Sequence, residues 1–577
     1  MSQKDFRLAT LTAALLMLSG TAAQALPFNS FDPRTMAMGG AGVAVGDPAT
    51  APLYNPALLS ASDPSKKYSV ELPIIGARLY DPGNLRSELP TLSDNSTLLT
   101  NSVTPLSSSA TTLGADTTTL TTNITSLSTS VTGLAAITIV DAATAATAST
   151  ALSGLATSLT TVSGSMTTVS TDMSTVSTNS TAVATNINKV NQSLQAINNQ
   201  PLQGEFGAAI VVAVPSKNWG ASFYTNAWGA MGGSLIYNDA TTVANISGAV
   251  SATAAALASS STATGTSATA IATAVTDVNT AVTACSTATL TAGTPAQQAA
   301  ALATCISSLT TANASLAAAQ IILDSTSTTL TGNATTVSNQ AATVTNNKTV
   351  LSQIHLRGVV VREIGFAFSH SFISYDQAWA VGVTPKIMQL QLFDAYLDAN
   401  SGGSGSGING SDYLAKYSSF NFDLGVARNY ENGWRSGVVV KNLIPQTFDF
   451  KSIGSGAVTG SAQSVTGTLN INPQLRAGVS HANEWSTVAL DVDLTQNDPA
   501  GLENKSQYIA LGGELSASGW AQIRAGYRMD VVNSARDVAS IGFGLSPRLP
   551  YFKPHFDLGV AGNANEVGAS MRLGLNF

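Results

Sequence analysis

Charge is scarce in this chain of 577 residues: Asp, Glu, Lys and Arg make up 10% of it, and the formal net charge is −7. No Lys/Arg cluster breaks that average, which excludes the electrostatic footprint of nucleic-acid binding. Cysteine is nearly absent. Cys285 and Cys305 stand alone and make no Cys-x-x-Cys, so thiol–disulfide exchange has no motif. The four histidines, His355, His370, His481 and His555, are scattered, with no His-Glu-x-x-His and no Cys/His ligand cluster. Neither a metal nor a cofactor is expected. No Gly-x-Ser-x-Gly elbow exists, and Gly402-Gly403-Ser404-Gly405-Ser406-Gly407 reads as a flexible loop. No catalytic residue emerges, so the expectation is a non-enzyme. After the first 25 residues no apolar run is long enough for a membrane helix, so a membrane form of this chain must be a closed barrel.

What is present begins with an export signature. Lys4 and Arg7 precede the apolar run Leu8 to Leu18, and Ala23-Gln24-Ala25 follows. A charged region, a short apolar core and a small-x-small site make residues 1–25 a signal peptide and Leu26 the expected first mature residue. The reading is a Sec-exported protein. Composition then divides the chain into an N-terminal segment 26–66, a strand in 67–83, an insert at 84–200, strands in 201–238, a second insert at 239–351 and strands in 352–577.

Both inserts are rich in Ser, Thr, Ala and Asn, a composition that also suits disorder or a glycosylated stalk. Periodicity favours helices. Leu152, Leu155, Leu159, Val162, Met166, Val169, Met173 and Val176 step by three and four, and Val183, Ile187, Val190, Leu194 and Ile197 continue the frame, with Ser180 in one core slot. Leu99, Leu106, Leu113, Leu120, Ile124, Leu127, Val131 and Leu134 form a matching upstream arm. In the second insert Ile271, Val275, Val278, Val282 and Cys285 lead to a turn at Ala292-Gly293-Thr294-Pro295. Leu302, Leu309, Leu316, Leu323, Leu330, Val337, Val344 and Leu351 follow. Such spacing predicts coiled-coil hairpins. Cys285 and Cys305 fall in core phase on either side of the turn, and in an oxidising compartment they are expected to form a disulfide.

The remainder alternates. Ile523, Ala525, Tyr527 and Met529 interleave with Gln522, Arg524, Gly526 and Arg528, and Leu490, Val492 and Leu494 interleave with Asp491 and Asp493. The stretch Met571 to Phe577 alternates too and ends on an aromatic. With the export signature, this favours lipid outside and a polar lumen inside. Asp491, Asp493, Arg524 and Arg528 are the expected lumen charges, the acids pairing with the arginines. About 14 strands fit, near 68–80, 204–215, 219–238, 353–371, 374–395, 416–429, 433–450, 468–480, 485–495, 505–516, 520–531, 537–546, 553–561 and 566–577. Short turns such as Tyr430-Glu431-Asn432-Gly433 alternate with long connections. Strand parity puts both inserts among the long connections.

The segment after the signal is the most specific. It contains Arg34-Thr35-Met36-Ala37-Met38-Gly39-Gly40-Ala41-Gly42 and then Tyr54-Asn55-Pro56-Ala57. The glycines permit close backbone approach and Asn55-Pro56 marks a turn. No strand precedes the glycines and a GxGxxG spacing is lacking, which argues against a phosphate loop. The stretch resembles the opening of FadL-like outer-membrane barrels and, more narrowly, the conjugal transfer protein TraF family of Gram-negative exported proteins. Gly382-Val383-Thr384-Pro385-Lys386, Val440-Lys441-Asn442-Leu443-Ile444-Pro445, Arg524-Ala525-Gly526-Tyr527-Arg528 and Gly544-Leu545-Ser546-Pro547 extend the likeness over about 26–82, 202–238 and 353–577. The thioredoxin-like F-plasmid protein that shares the name is a different protein. The resemblance implies an all-β transmembrane barrel of about 14 antiparallel strands, FadL-like, carrying two inserted helical hairpins. It also implies outer-membrane localisation, with lipid and conjugation or surface-assembly proteins as partners. Arg34, Met36, Met38, Gly39, Gly40, Gly42, Asn55 and Pro56 would belong to a plug. The competing functions are a transporter of hydrophobic small molecules and a surface adhesin with the helical hairpins as its stalk.

Overall fold

The computed structural model describes residues 24–25, 31–61, 68–138, 140–216, 218–312, 314–315, 317–318, 321, 352–374, 377–398, 414–451, 467–517, 520–547, 549 and 552–577. The expected charged region at Lys4 and Arg7, the start at Leu26, the heptad positions Leu316 to Leu351 and the loop Gly402 to Gly407 lie outside the described residues. The chain forms two compact units, one of Met1–Glu88, Ala196–Asn238 and Leu351–Phe577, the other of Leu89–Gln195 and Asp239–Val350.

The first unit is a closed barrel of fourteen antiparallel strands. They are β1 (Ser69–Tyr80), β2 (Leu202–Val214), β3 (Trp219–Ile236), β4 (Gln353–Ser374), β5 (Gln377–Asp398), β6 (Ala415–Asn429) and β7 (Trp434–Lys441). Then follow β8 (Gln474–Ala482), β9 (Ser486–Asp493), β10 (Tyr508–Ala517), β11 (Ala521–Asp530), β12 (Val538–Leu545), β13 (Lys553–Gly562) and β14 (Glu566–Asn576). Each strand pairs with the next, and β14 pairs with β1 to close the wall. The period-2 pattern explains the two faces. On β4, Ile364, Phe366 and Phe368 point outward and are about half exposed, while Glu363, Ala367 and Ser369, on the alternate phase, are buried. An exposed apolar wall of this extent is stable only against acyl chains.

Tryptophan marks one edge of that wall. Trp219, Trp379, Trp434, Trp485 and Trp520 sit at strand ends beside the short turns, an aromatic girdle of the kind that rests at the lipid–water boundary. The other edge is uneven. β4 and β5 run for 22 residues each, β7 and β9 for 8, whereas a bilayer needs roughly 9–11 residues per strand.

Two expected strands, 433–450 and 468–480, are each divided in the structure. Residues 433–450 do not form one strand: β7 stops at Lys441, Asn442 adopts φ 54°, and Gln446–Asp449 starts a separate hairpin with Thr468–Ile471. Pro445 cannot donate to a ladder, and a positive φ breaks the pleat, so the alternating run divides there. The hairpin buries Phe448, Phe450, Leu469 and Ile471 against Trp228, Val359, Val361, Met388 and Leu390 of β3 to β5. That stretch of the inner face is therefore apolar, between the buried Lys386–Glu363 pair and the Arg357–Asp394 pair, which corrects the expectation of a polar lumen.

The second unit is helical: α4 (Leu85–Ala135, its first turn counted with the barrel unit), α5 (Ala142–Ala196), α6 (Ala240–Ala284), α7 (Thr287–Thr291) and α8 (295–312). Three short helices precede these in the barrel unit, α1 (Pro33–Ala37), α2 (Ala51–Tyr54) and α3 (Leu58–Ala61). The heptad leucines, valines and methionines of α4 and α5 are buried in one core with Leu257, Ile271 and Val278 of α6, so the two inserts share a bundle. By length and composition α6 could cross a membrane; its apolar residues instead face the other helices, and alanine supplies the rest. The Ser and Thr hydroxyls find partners in the carbonyl four residues back, as Thr111 does in Ser107 and Thr125 in Thr121, while the packed apolar stripe holds these helices.

Polar rungs set the register between helices. Along α5, Ser149, Ser163, Ser170 and Ser177 donate to the backbone carbonyls of Val282, Ala268, Ser261 and Ala254 on α6, and Ser247 returns a bond to Ala184. One set advances by sevens while the other retreats by sevens, an antiparallel seam that only small residues allow. Between α4 and α5 the rungs are Asn95–Ser193, Ser109–Asn179 and Asn123–Ser165. Cys285 and Cys305 form a disulfide with Cα atoms 4.7 Å apart, closing the turn around α7.

Candidate functional site

The lumen is occupied by the segment Phe31 to Ala61, which carries α1 to α3 and is buried along nearly its whole length. Asp32 caps α1, accepting from the Thr35 amide at 3.0 Å, and Pro33 occupies its first turn. Gly39 and Gly40 follow with φ of 69° and 99°, a left-handed pair that only glycine adopts without strain. A Cβ on Gly39 would lie 2.6 Å from the Tyr527 carbonyl oxygen, so the plug rests directly on the wall's backbone. The wall makes matching room. Adjacent strands place glycines side by side at Gly76–Gly207, Gly382–Gly425, Gly437–Gly478, Gly512–Gly526 and Gly542–Gly559, and plug atoms sit over each pair.

Hydrogen bonds then fix the plug. Asp491 Oδ2 accepts the amides of Gly42 at 2.7 Å and Val43 at 2.9 Å. Ser540 accepts from the Gly39 amide and donates to the Ala37 carbonyl, both at 3.0 Å. Asn55 bridges plug and wall, donating to the carbonyls of Val43 and Val426 at 3.0 and 3.2 Å, while Pro56 packs on Gly382 and Gly425. Met36 and Met38 are buried, Met36 receiving a contact from the Ser570 hydroxyl.

Charge completes the seat. Arg34 forks onto Glu514 at 2.9 and 3.1 Å and donates to the Val45 carbonyl at 2.8 Å. Glu514 also pairs with Arg524, Arg524 with Asp557, Asp557 with Arg572, and Arg572 with Asp32 of the plug at 3.1 Å. Glu71 joins through Arg572 and His555. A second group links Arg78, Glu205, Arg536, Glu566 and Arg528. In a third, Lys386 lies between Glu363 and Asp423 at 3.1 and 3.0 Å.

The four expected lumen charges are all buried in the barrel, but they do not pair with one another. Asp493 binds Arg476, Asp491 holds the plug, Arg524 binds Glu514 and Asp557, and Arg528 binds Glu566. The reason is register. β10 stands between β9 and β11, so the acids and arginines are two strand spacings, about 9.6 Å, apart. Arg476 faces Asp493, Glu514 faces Arg524, and Asp557 faces Arg572 directly across their ladders. Sequence reading missed Arg476, Asp557, Glu566 and Lys386. Each lies on the inner phase of an alternating stretch, a signal that names the face but not the partner.

At the short-turn end the lumen opens into a cavity of about 340 Å³, lined by Arg34, Asp47, Arg435, Gln522, Arg524 and Asp557 among others. Among the described residues no group of three His, Cys, Asp or Glu side chains could hold a metal ion.

Several solved barrels are similar in part. A Pseudomonas aeruginosa FadL homologue is 10% identical, with 96% of this chain and 99% of that one covered and a TM-score of 0.39. The Ralstonia pickettii toluene transporter TbuX is 10% identical, with 95% and 98% covered and a TM-score of 0.36. The P. putida toluene transporter TodX is 8% identical, with 95% and 97% covered and a TM-score of 0.33. No curated protein matches the chain. Residues 152–493 match the family described as the F plasmid transfer operon TraF protein. Because that match spans more than half of the chain, the protein belongs to this TraF family.

Proposed function

We propose that the protein is a non-enzymatic outer-membrane barrel, held shut by its own N-terminal plug, that serves conjugative transfer or assembly of the cell surface. The observation that carries this reading is the plug's attachment: backbone amides on Asp491 and Ser540, and ion pairs from both Arg34 and Asp32 to the wall. A barrel meant for standing diffusion has no use for so many bonds across its lumen. The exposed apolar belt, the tryptophan girdle and the family membership support the membrane and the transfer context. Planar-bilayer recording tests the first half: the intact protein should be silent and a variant lacking residues 31–61 should conduct. Constant conductance by the intact protein would overturn the closed-barrel reading. Mating efficiency of a deletion strain tests the second half, and unchanged transfer together with an unchanged surface would remove it.

A second reading, uptake of hydrophobic small molecules, is favoured by one observation: the apolar inner face of β3 to β5 with its hairpin cover of Phe448, Phe450, Leu469 and Ile471. Uptake of a radiolabelled aromatic hydrocarbon that fails in Phe448→Asp would support it. Equal uptake by cells lacking the protein would not.

A further inference from the structure

We propose that the cavity at the short-turn end binds one small oxyanion, a carboxylate- or phosphate-bearing solute, between Arg435 and Arg34. The cavity's other arginines are engaged by acids: Arg34 forks onto Glu514, Arg524 contacts Glu514 and Asp557, and Arg572 contacts Asp557, Asp32 and Glu71. Arg435 is different. Its Nε donates to the Asn429 amide oxygen at 2.7 Å and a terminal nitrogen donates to the Ala61 carbonyl at 2.9 Å. Among the described residues no carboxylate lies within ion-pair distance of it. Arg34 borders the same cavity, so two like charges share it. Two neighbouring guanidiniums, one with neutral acceptors only, border an open polar volume of about 340 Å³. An anion there relieves the repulsion and gains charge-assisted hydrogen bonds from a planar fork built for oxyanions. Ser516, Gln522 and Ser546 line the same space and supply neutral donors. The lining sets Arg34, Arg435, Arg524 and Arg572 against Asp47, Glu514 and Asp557, an excess of positive charge that one anion neutralises. The inference holds whichever solute or transfer role the barrel serves.

The test is equilibrium dialysis of the full-length protein in detergent against radiolabelled inorganic phosphate, and separately against radiolabelled citrate, at fixed ionic strength. Saturable binding near one equivalent per chain is expected for at least one of them, weakened tenfold or more in Arg435→Gln. Phosphate alone saturating assigns a phosphoryl group, citrate alone a carboxylate, and both the shared oxyanion chemistry. No saturable binding of either, or wild-type affinity in Arg435→Gln, overturns the proposal. A measurement on the unaltered protein guards against misfolding of the variant. Phenylglyoxal modification of Arg435, located by mass spectrometry, should slow in the anion that binds, and unchanged modification in both anions also overturns it.

Discussion

Replacing Asp491 by alanine isolates the plug's anchor to β9. One carboxylate oxygen receives two amides, Gly42 at 2.7 Å and Val43 at 2.9 Å, and the Asp491 side chain is 1% exposed. Without it both N–H groups stay seated in a site closed to solvent. An orphaned buried donor costs about 1–3 kcal/mol, so the seated plug loses roughly 2–6 kcal/mol relative to a displaced one whose amides meet water. At about 1.4 kcal/mol per factor of ten, displacement becomes about 30-fold to 10⁴-fold more frequent. The native cysteines are joined in a disulfide and no free cysteine occurs among the described residues, so an introduced thiol reports alone. Val45→Cys is a near-isosteric choice at a position 9% exposed. Its maleimide labelling rate, measured without reductant, should rise by that factor in Asp491→Ala, and less in Asp491→Asn, which keeps an acceptor oxygen. A change under threefold, in barrels that still show heat-modifiable mobility, would refute the argument that this carboxylate holds the plug.

Other consequences can be measured as directly. A side chain at Gly559 would meet the Pro33 carbonyl at 2.5 Å, so Gly559→Val should assemble a barrel that conducts in bilayers, and a silent Gly559→Val barrel would show that the plug shifts to make room. Midway between two Asn–Ser rungs of α4 and α5, Asp116 and Asp172 face each other, and burial followed by the Asp116 contact raises Asp172 from 3.8 to about 6. The folded helices then keep a proton that the unfolded chain loses, so this stabilisation is full below pH 3.8 and gone above about 6. The site is partly exposed and solvent screening reduces the gain to ~1 kcal/mol. The 222 nm melting temperature of the helical signal should accordingly fall from pH 4 to pH 7, and Asp172→Asn should flatten the dependence; an unchanged slope in that variant would assign it to another group.

Periodicity made much of this architecture legible. Alternation gave strand number and inner phase because a period of two survives any register, and heptads gave the helices because Leu152 through Val176 leave no gap. The plug segment was visible through Gly39-Gly40 and Asn55-Pro56, residues whose backbone demands are local. What stayed hidden depends on which elements become neighbours. The partners of Asp493 and Arg524 follow from ladder registers, the glycine pairs from two strands at once, and the serine seam from two inserts separated by β2 and β3. The hairpin at Gln446–Asp449 was lost because a run of alternating residues looks the same before and after a break at Asn442. Its signal was present in Asn442, a residue type that tolerates the left-handed turn, followed by Pro445, which cannot donate to a ladder.

The seam between β14 and β1 has a consequence for biogenesis. The plug is joined to β1 by a few residues, and its Asp32 holds Arg572 on β14, so the two edges that must meet last both touch it. A plug already seated when those edges meet would bridge them, held to one through the chain and to the other through this ion pair. If closure follows seating, the inserting machinery handles a half-wrapped intermediate with its N-terminal segment inside, and removing Asp32 slows maturation; an unchanged rate would show that closure does not wait for the plug.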